Sequence, residues 1–150
     1  MYELERPETC SIAGAMEILG ERWTFLILRE SFYGVRRFSD MQRNLGIARN
    51  ILSTRLHTLV GAGILERRLY QQEPERYDYR LTESGRDLYP ALVTLMKWGD
   101  RHLQDTAPPV VLRHNTCGHT ADPLLVCSHC REELRPRDVT PEAGPAAAAA

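Results

Sequence analysis

Residues 37–86, RFSDMQRNLGIARNILSTRLHTLVGAGILERRLYQQEPERYDYRLTESGR, decide the fold. Phe38-Ser39-Asp40-Met41 opens a short helix, with Ser39 as its cap, Gln42 as a capping-box partner and Phe38 as a staple to the core. Gly46-Ile47 makes a tight turn, because glycine enters the left-handed region without a steric penalty. From Arg49 to Ala62, Ile51, Leu52, Leu56, Leu59 and Val60 recur at helical spacing and predict an inward apolar stripe. Arg49, Asn50, Ser53, Thr54 and His57 fall largely on the other side. Two alternating runs, Leu65 to Tyr70 and Tyr77 to Leu81, flank the polar Gln71-Gln72-Glu73-Pro74-Glu75 and predict a hairpin. Thr82 then caps another helix. Helix, turn, helix and hairpin in that order can hold one helix in a DNA groove while a wing grips the backbone.

Upstream, Ile12, Ala15, Met16 and Leu19 recur at helical spacing, and Gly20 is expected to end that helix in a left-handed cap. A second helix is predicted from about Glu21 to Phe32, with Trp23, Leu26, Ile27 and Glu30 on its core face, and Gly34 ends it. Downstream, a long helix is predicted from about Glu83 to Gln104. At ~1.5 Å per residue it would span ~33 Å, more than a domain of this size needs for its own core. Its stripe of Leu88, Leu92, Leu95, Met96, Gly99 and Leu103 needs a partner, and a twofold dimer suits palindromic half-sites. Trp98 lies off that stripe.

The chain has 150 residues, 43% of them hydrophobic and 26% charged, which fits one main soluble domain with a small appendage. Its net charge of −1 carries no global nucleic-acid signal. The distribution does. Between Arg36 and Arg68 seven arginines (36, 37, 43, 49, 55, 67 and 68) face only Asp40 and Glu66, a local excess of +5. The candidate DNA contacts are Arg37, Ser39, Arg49, Asn50, Ser53, Thr54, Arg55, His57, Arg68 and Arg76, all of types that meet phosphates and base edges. Glu73 and Glu75 at the hairpin tip argue against deep insertion of the wing. The charged start, Met1 to Arg6, has no secretory core behind it, and no apolar run is long enough to span a bilayer, so a cytoplasmic location with reduced thiols is expected.

Several spaced blocks resemble the HxlR family of bacterial winged-helix regulators, a MarR-like group. They are Gly20-Glu21-Arg22-Trp23-Thr24, Leu26-Ile27-Leu28-Arg29-Glu30, Arg37-Phe38, Gly46-Ile47, Leu52-Ser53-Thr54-Arg55-Leu56, Gly63-Ile64-Leu65-Glu66-Arg67, Tyr79-Arg80-Leu81-Thr82-Glu83-Ser84-Gly85 and Trp98. The likeness runs from roughly Cys10 to Leu103. It implies a homodimer formed through terminal helices and repression or activation of transcription at a double-stranded operator. Leu88, Leu92, Leu95, Met96 and Leu103 are the expected dimer contacts. Cys10 stands where the family usually has a cysteine, through which some members sense electrophiles or oxidants; Ser11 replaces the proline that typically follows. A helix N-terminus favours the thiolate, which makes Cys10 the candidate sensor and a small-molecule effector the expected signal.

The tail beyond Pro108-Pro109 is additional. Val110 to Arg113 and Pro123 to Val126 read as strands of a hairpin carrying His114-x-x-Cys117 and Cys127-x-x-Cys130. Two such knuckles can complete a tetrahedron, and mixed imidazole and thiolate donors suit a structural Zn²⁺. The expected ligands are His114, Cys117, Cys127 and Cys130, with His119 and His129 as rivals for the histidine. A metal-free hairpin and a redox Cys-x-x-Cys remain alternatives. From Glu142 onward the alanine-rich end reads as disordered.

The expected architecture is therefore mainly α with a small β-hairpin. A winged helix-turn-helix spans residues 9–106, a zinc-ribbon-like extension 110–135 and a disordered tail 136–150. The expected function is sequence-specific transcriptional regulation, with no enzymatic activity. No paired carboxylates, nucleophile–base set or phosphate loop supports catalysis. The competing classes are a thiol redox protein using Cys127 and Cys130, and a protein-interaction module.

Overall fold

The computed structural model describes residues 10–142 and 144–145. Its elements are α1 (Ser11–Leu19), α2 (Arg22–Phe32), α3 (Phe38–Leu45), α4 (Arg49–Gly61), β1 (Leu65–Gln71), β2 (Arg76–Leu81), α5 (Glu83–Arg86) and α6 (Tyr89–His102). The alanines at 146–150 and Ala143, read from the sequence as part of a disordered tail, lie outside the described residues. Pro136–Asp138 forms one turn of 3-10 helix. Among the described residues no helix is long and apolar enough to cross a membrane.

The chain divides into two compact units, one ending at Leu92 and one taking in the chain from Val93 on. The core belongs to the first. Ile27 and Leu28 of α2, Met41 of α3, Leu52, Leu56 and Leu59 of α4 and Leu65 of β1 are fully buried. Ala15, Ile18, Phe38 and Leu88 pack against that cluster. Three helices and the root of the hairpin thus share one apolar centre, which fixes the angle at which α4 and the wing are presented.

β1 and β2 are antiparallel, with Leu65 opposite Leu81 and Arg67 opposite Tyr79. The register slips between Leu69 and Gln71, leaving Tyr70 as the extra residue of a bulge, a device that re-aims a side chain. Tyr79 N–H donates to the Arg36 carbonyl at 2.8 Å, and Arg37 bridges Asp78. The segment before α3 is thereby stitched to the wing.

Several expectations are corrected. Ser39 does not cap α3: the helix begins at Phe38, Arg37 is the capping residue, and no side chain closes the cap, so the Ser39–Gln42 box is not formed. Gly20 is right-handed, at φ −67°. It is needed for a different reason: a Cβ there would lie 2.5 Å from the Met16 carbonyl oxygen. Gly46 does adopt the left-handed turn, at φ 61°. On α1 the inward residues are Ala15, Ile18 and Leu19, while Ile12 and Met16 are exposed. Ile51 is likewise exposed, so the α4 stripe is narrower than its spacing suggests.

The expected helix from Glu83 to Gln104 is broken at Asp87–Leu88 into α5 and α6. Pro90 supplies the reason. It has no N–H to continue an incoming helix, and it is tolerated in the first turn of a new one. Thr82 caps α5 as expected, its hydroxyl accepting from Gly85 N–H at 3.1 Å. In the tail, the strands expected at 110–113 and 123–126 do not pair with each other. Isolated bridges join Arg113 to Thr120 and Val126 to Glu133 instead, because each knuckle closes on its own flanks.

Candidate nucleic-acid interface

α3 and α4 meet at the Gly46 turn, and the buried Met41, Ile47 and Leu52 anchor both helices. This leaves one face of α4 outward. Arg49, Asn50, Ser53, Thr54 and His57 are all exposed on it, and Arg55 is half-buried. Thr54 Oγ1 donates to the Asn50 backbone carbonyl at 2.9 Å, and the Asn50 side chain is exposed. An exposed amide, which carries both donors and an acceptor, is the kind of group that reads a base edge bidentately.

Between the start of α4 and the wing lies a groove of about 550 Å³ lined by Arg37, Ser39, Arg49, Tyr70, Arg76 and Tyr77, among others. Three guanidinium groups therefore edge one groove. Two of them rest on aromatic faces: Arg37 is 5.0 Å from the Tyr70 ring centre and Arg49 is 5.3 Å from that of Phe38. Such stacking restrains a long side chain while leaving its N–H groups for an anion. The bulge at Tyr70 and the stitch between residues 36–37 and β2 are what bring these groups together.

Arg68 stands apart. It pairs with Glu66 at 3.0 Å, so part of its charge is already compensated, and it does not line the groove. Arg67 instead packs over Tyr77, 3.5 Å from the ring centre. The acidic tip is partly tied down. Tyr77 Oη donates to Glu75 Oε2 at 2.8 Å, and that bond, with the carboxylate beside it, raises the Tyr77 pKa.

Sequence reading missed Tyr70 and Asp78. Asp78 sits in an alternating strand where its neighbours look inward, yet it is the buried one. Its Oδ2 accepts from Arg80 Nη2 at 2.8 Å, which raises the Arg80 pKa. The only signal was the pairing of opposite charges two residues apart on one strand face.

The other expected site residues fall elsewhere. Cys10 precedes α1 as its half-buried capping residue. On α6, Leu95 and Trp98 are about half exposed, and Leu92 and Met96 are half-buried; Leu103, just past the end of the helix, is 69% exposed. Leu88 belongs to the core margin. In the tail, His114 Nδ1 lies 3.2 Å from Cys117 Sγ. Cys127 takes peptide N–H bonds from Cys130 and His129, with the Cys130 side chain beside it, and its thiol is held below the ordinary range. Among the described residues no three His, Cys, Asp or Glu side chains are gathered as a metal site.

The model of the HxlR-like helix-turn-helix family matches residues 18–107. An HTH-type transcriptional regulator of Mycobacterium tuberculosis is 57% identical over 136 residues, covering 90% of this chain and 86% of its own length. Among solved structures, PA1607, a proposed transcription factor, superposes with a TM-score of 0.79 at 32% identity, covering 91% of this chain and 96% of that one. The redox regulator HypR in its oxidized form superposes with a TM-score of 0.59 at 28% identity, covering 65% of this chain and all of the other.

Proposed function

The chain belongs to the HxlR-like helix-turn-helix family, and we propose that it regulates transcription as a homodimer whose two α4 helices read successive major-groove half-sites. That it is a DNA-binding transcriptional regulator follows from the family and from its relatives. The observation that carries the mode of reading is the groove edged by Arg37, Arg49 and Arg76 beside the exposed polar face of α4. Phosphates run along the groove, held by the stacked guanidinium groups, and fix the register. Asn50, Ser53 and Thr54 then face base edges. The first turn of α4 has no side-chain cap, so its peptide N–H groups add to the positive field at the same end.

Support for the dimer comes from apolar surface. Ile12 and Met16 of α1, Leu95 and Trp98 of α6 and Leu103 just after it are exposed in the single chain. Water-exposed leucine and tryptophan at helical spacing favour burial against a second copy. Cys10 is proposed as the point where an oxidant or electrophile acts, supported by its place at the head of α1 and by the likeness to a redox regulator. The test is binding of the native promoter DNA by the purified protein across a salt series. A steep loss of affinity with salt is expected. Equal affinity for operator and unrelated DNA would overturn the reading.

A further inference from the structure

The tail carries an internal duplication that its amino acids conceal. Adding 13 to a residue number carries 112–121 onto 125–134, yet only Leu112/Leu125 and Cys117/Cys130 are identical across those ten positions. The backbone repeats throughout. Ala121 N–H donates to the Leu112 carbonyl at 2.6 Å, and Leu134 N–H to Leu125 at 2.9 Å. His114 N–H donates to the His119 carbonyl and Cys127 N–H to that of Glu132, both at 2.9 Å. Gly118 N–H returns to the His114 carbonyl at 2.8 Å, and Arg131 N–H to Cys127 at 2.9 Å. The two bridges, Arg113 with Thr120 and Val126 with Glu133, are also equivalent.

Even the strained position recurs. Gly118 has φ 74° and Arg131 φ 67°, and Arg131 is the one non-glycine with positive φ among the described residues. An arginine is held there against its preference, so the loop geometry is demanded by something other than local propensity. Burial is not the cause, since no residue from 101 to 142 is buried. A short segment without a core needs another staple.

The first and fourth positions of each loop hold donor atoms. His114 and Cys117 meet in one loop, and Cys127 and Cys130 stand at the same two positions of the other, whose turn is closed by the equivalent bond from Arg131 N–H to the Cys127 carbonyl. The 13-residue shift sets His114 against Cys127 and Cys117 against Cys130. It sets His119 against Glu132 and His129 against Thr116, neither of them a donor position of the loop.

We infer that the two loops are equivalent half-sites and that one Zn²⁺ per chain joins them, bound by His114, Cys117, Cys127 and Cys130. The ion supplies the link between the two pairs. Each cysteine gives up its proton as it binds, and the neutral imidazole completes a closed tetrahedron with no open position for catalysis. His119 and His129 are outside the site.

Cobalt provides the readout, because its visible bands report tetrahedral geometry and thiolate number. The tag-free full-length chain, reduced and stripped with chelator, is titrated with Co²⁺ and then Zn²⁺. One ion per chain with tetrahedral thiolate bands is expected, displaced by zinc. Cys117→Ser and Cys130→Ser should each lose at least tenfold in affinity, and His119→Ala should match the parent. His114→Cys is the sharper variant, since it makes the first loop donate as the second does. It should keep one ion per chain and shift the bands to those of four thiolates. Half an ion per chain, full affinity in His114→Ala, or no cobalt bands in the reduced parent would each overturn the assignment.

Discussion

Asn44 Nδ2 donates to Glu30 Oε2 at 2.8 Å, so the last turn of α3 is tethered to a buried carboxylate on α2. Arg29 Nη2 takes the other oxygen, Oε1, at 2.8 Å. A carboxylate 5% exposed is thereby satisfied at both oxygens, and the helix that precedes α4 is fixed by a directional bond as well as by packing. Asn44→Ala should leave Oε2 without a partner and destabilise the fold by about 1–3 kcal/mol. Urea unfolding with an unchanged slope would register this as a lower midpoint. No change in midpoint would mean that water replaces the asparagine without cost.

Base reading and backbone gripping separate by mutation. Asn50→Ala should remove about 1–3 kcal/mol of discrimination at one base position. Arg76→Ala should weaken binding to every sequence and reduce the salt slope by about 1, as expected for one lost phosphate contact. Arg68→Ala should do less, because Glu66 already compensates its charge. Anisotropy titrations over a salt series decide it. Equal operator affinity in an Arg49/Asn50/Thr54 triple-alanine variant at physiological salt would sink the assignment of α4.

Self-association should respond to α6. Leu95 is half exposed in the single chain. Leu95→Glu would place a carboxylate in an apolar seam, a loss of several kcal/mol, and should yield folded monomers with weak operator binding. Sedimentation velocity of parent and variant at micromolar concentration is the measurement; a monomeric parent refutes the dimer.

Two glycines should behave in opposite ways. A Cβ on the buried Gly85 would collide with the Ile64 carbonyl oxygen, which is backbone and cannot swing aside. Gly85→Ala should therefore cost about 1–3 kcal/mol and loosen the junction of wing and α5. Gly14 lies within α1 with nothing within 4 Å of such a Cβ, so Gly14→Ala should raise stability by about 0.4–1 kcal/mol. Thermal melts of the pair give the signs directly.

Oxidant or aldehyde treatment should change operator affinity in the parent protein, and Cys10→Ser should remove that response. A response that survives in Cys10→Ser would transfer the sensing role to the tail cysteines.

Elements governed by neighbours in the chain were legible in the sequence. Spacing of Leu52, Leu56 and Leu59 marks the inner face of α4, alternation marks the hairpin, Gly46 marks the turn, and Thr82 marks a cap. The helix face, the turn and the cap depend on contacts within four or so residues, and the hairpin joins two adjacent runs across a short polar tip, so a linear reading contains most of the physics. The outward residues Asn50, Ser53, Thr54 and His57 follow from the same periodicity, and their place on α4 needed no tertiary information.

Distant partners decided the rest. Nothing in the sequence indicates that Asn44 bonds Glu30, that Arg36 and Arg37 pair with β2, or that a bulge turns Tyr70 under Arg37. These join residues far apart in the chain, and hydrogen bonds of that kind have no period. Ile51 and Ile12 look inward by spacing and are exposed, because burial depends on which neighbour covers a face and not on the hydrophobicity of the face alone. The break at Asp87 turned on Pro90, a local signal outweighed by a long apolar pattern. The matching loops of the tail share almost no side chains. Their equivalence lies in main-chain hydrogen bonds and in two positive φ angles, which the sequence encodes only weakly and the folded backbone displays directly.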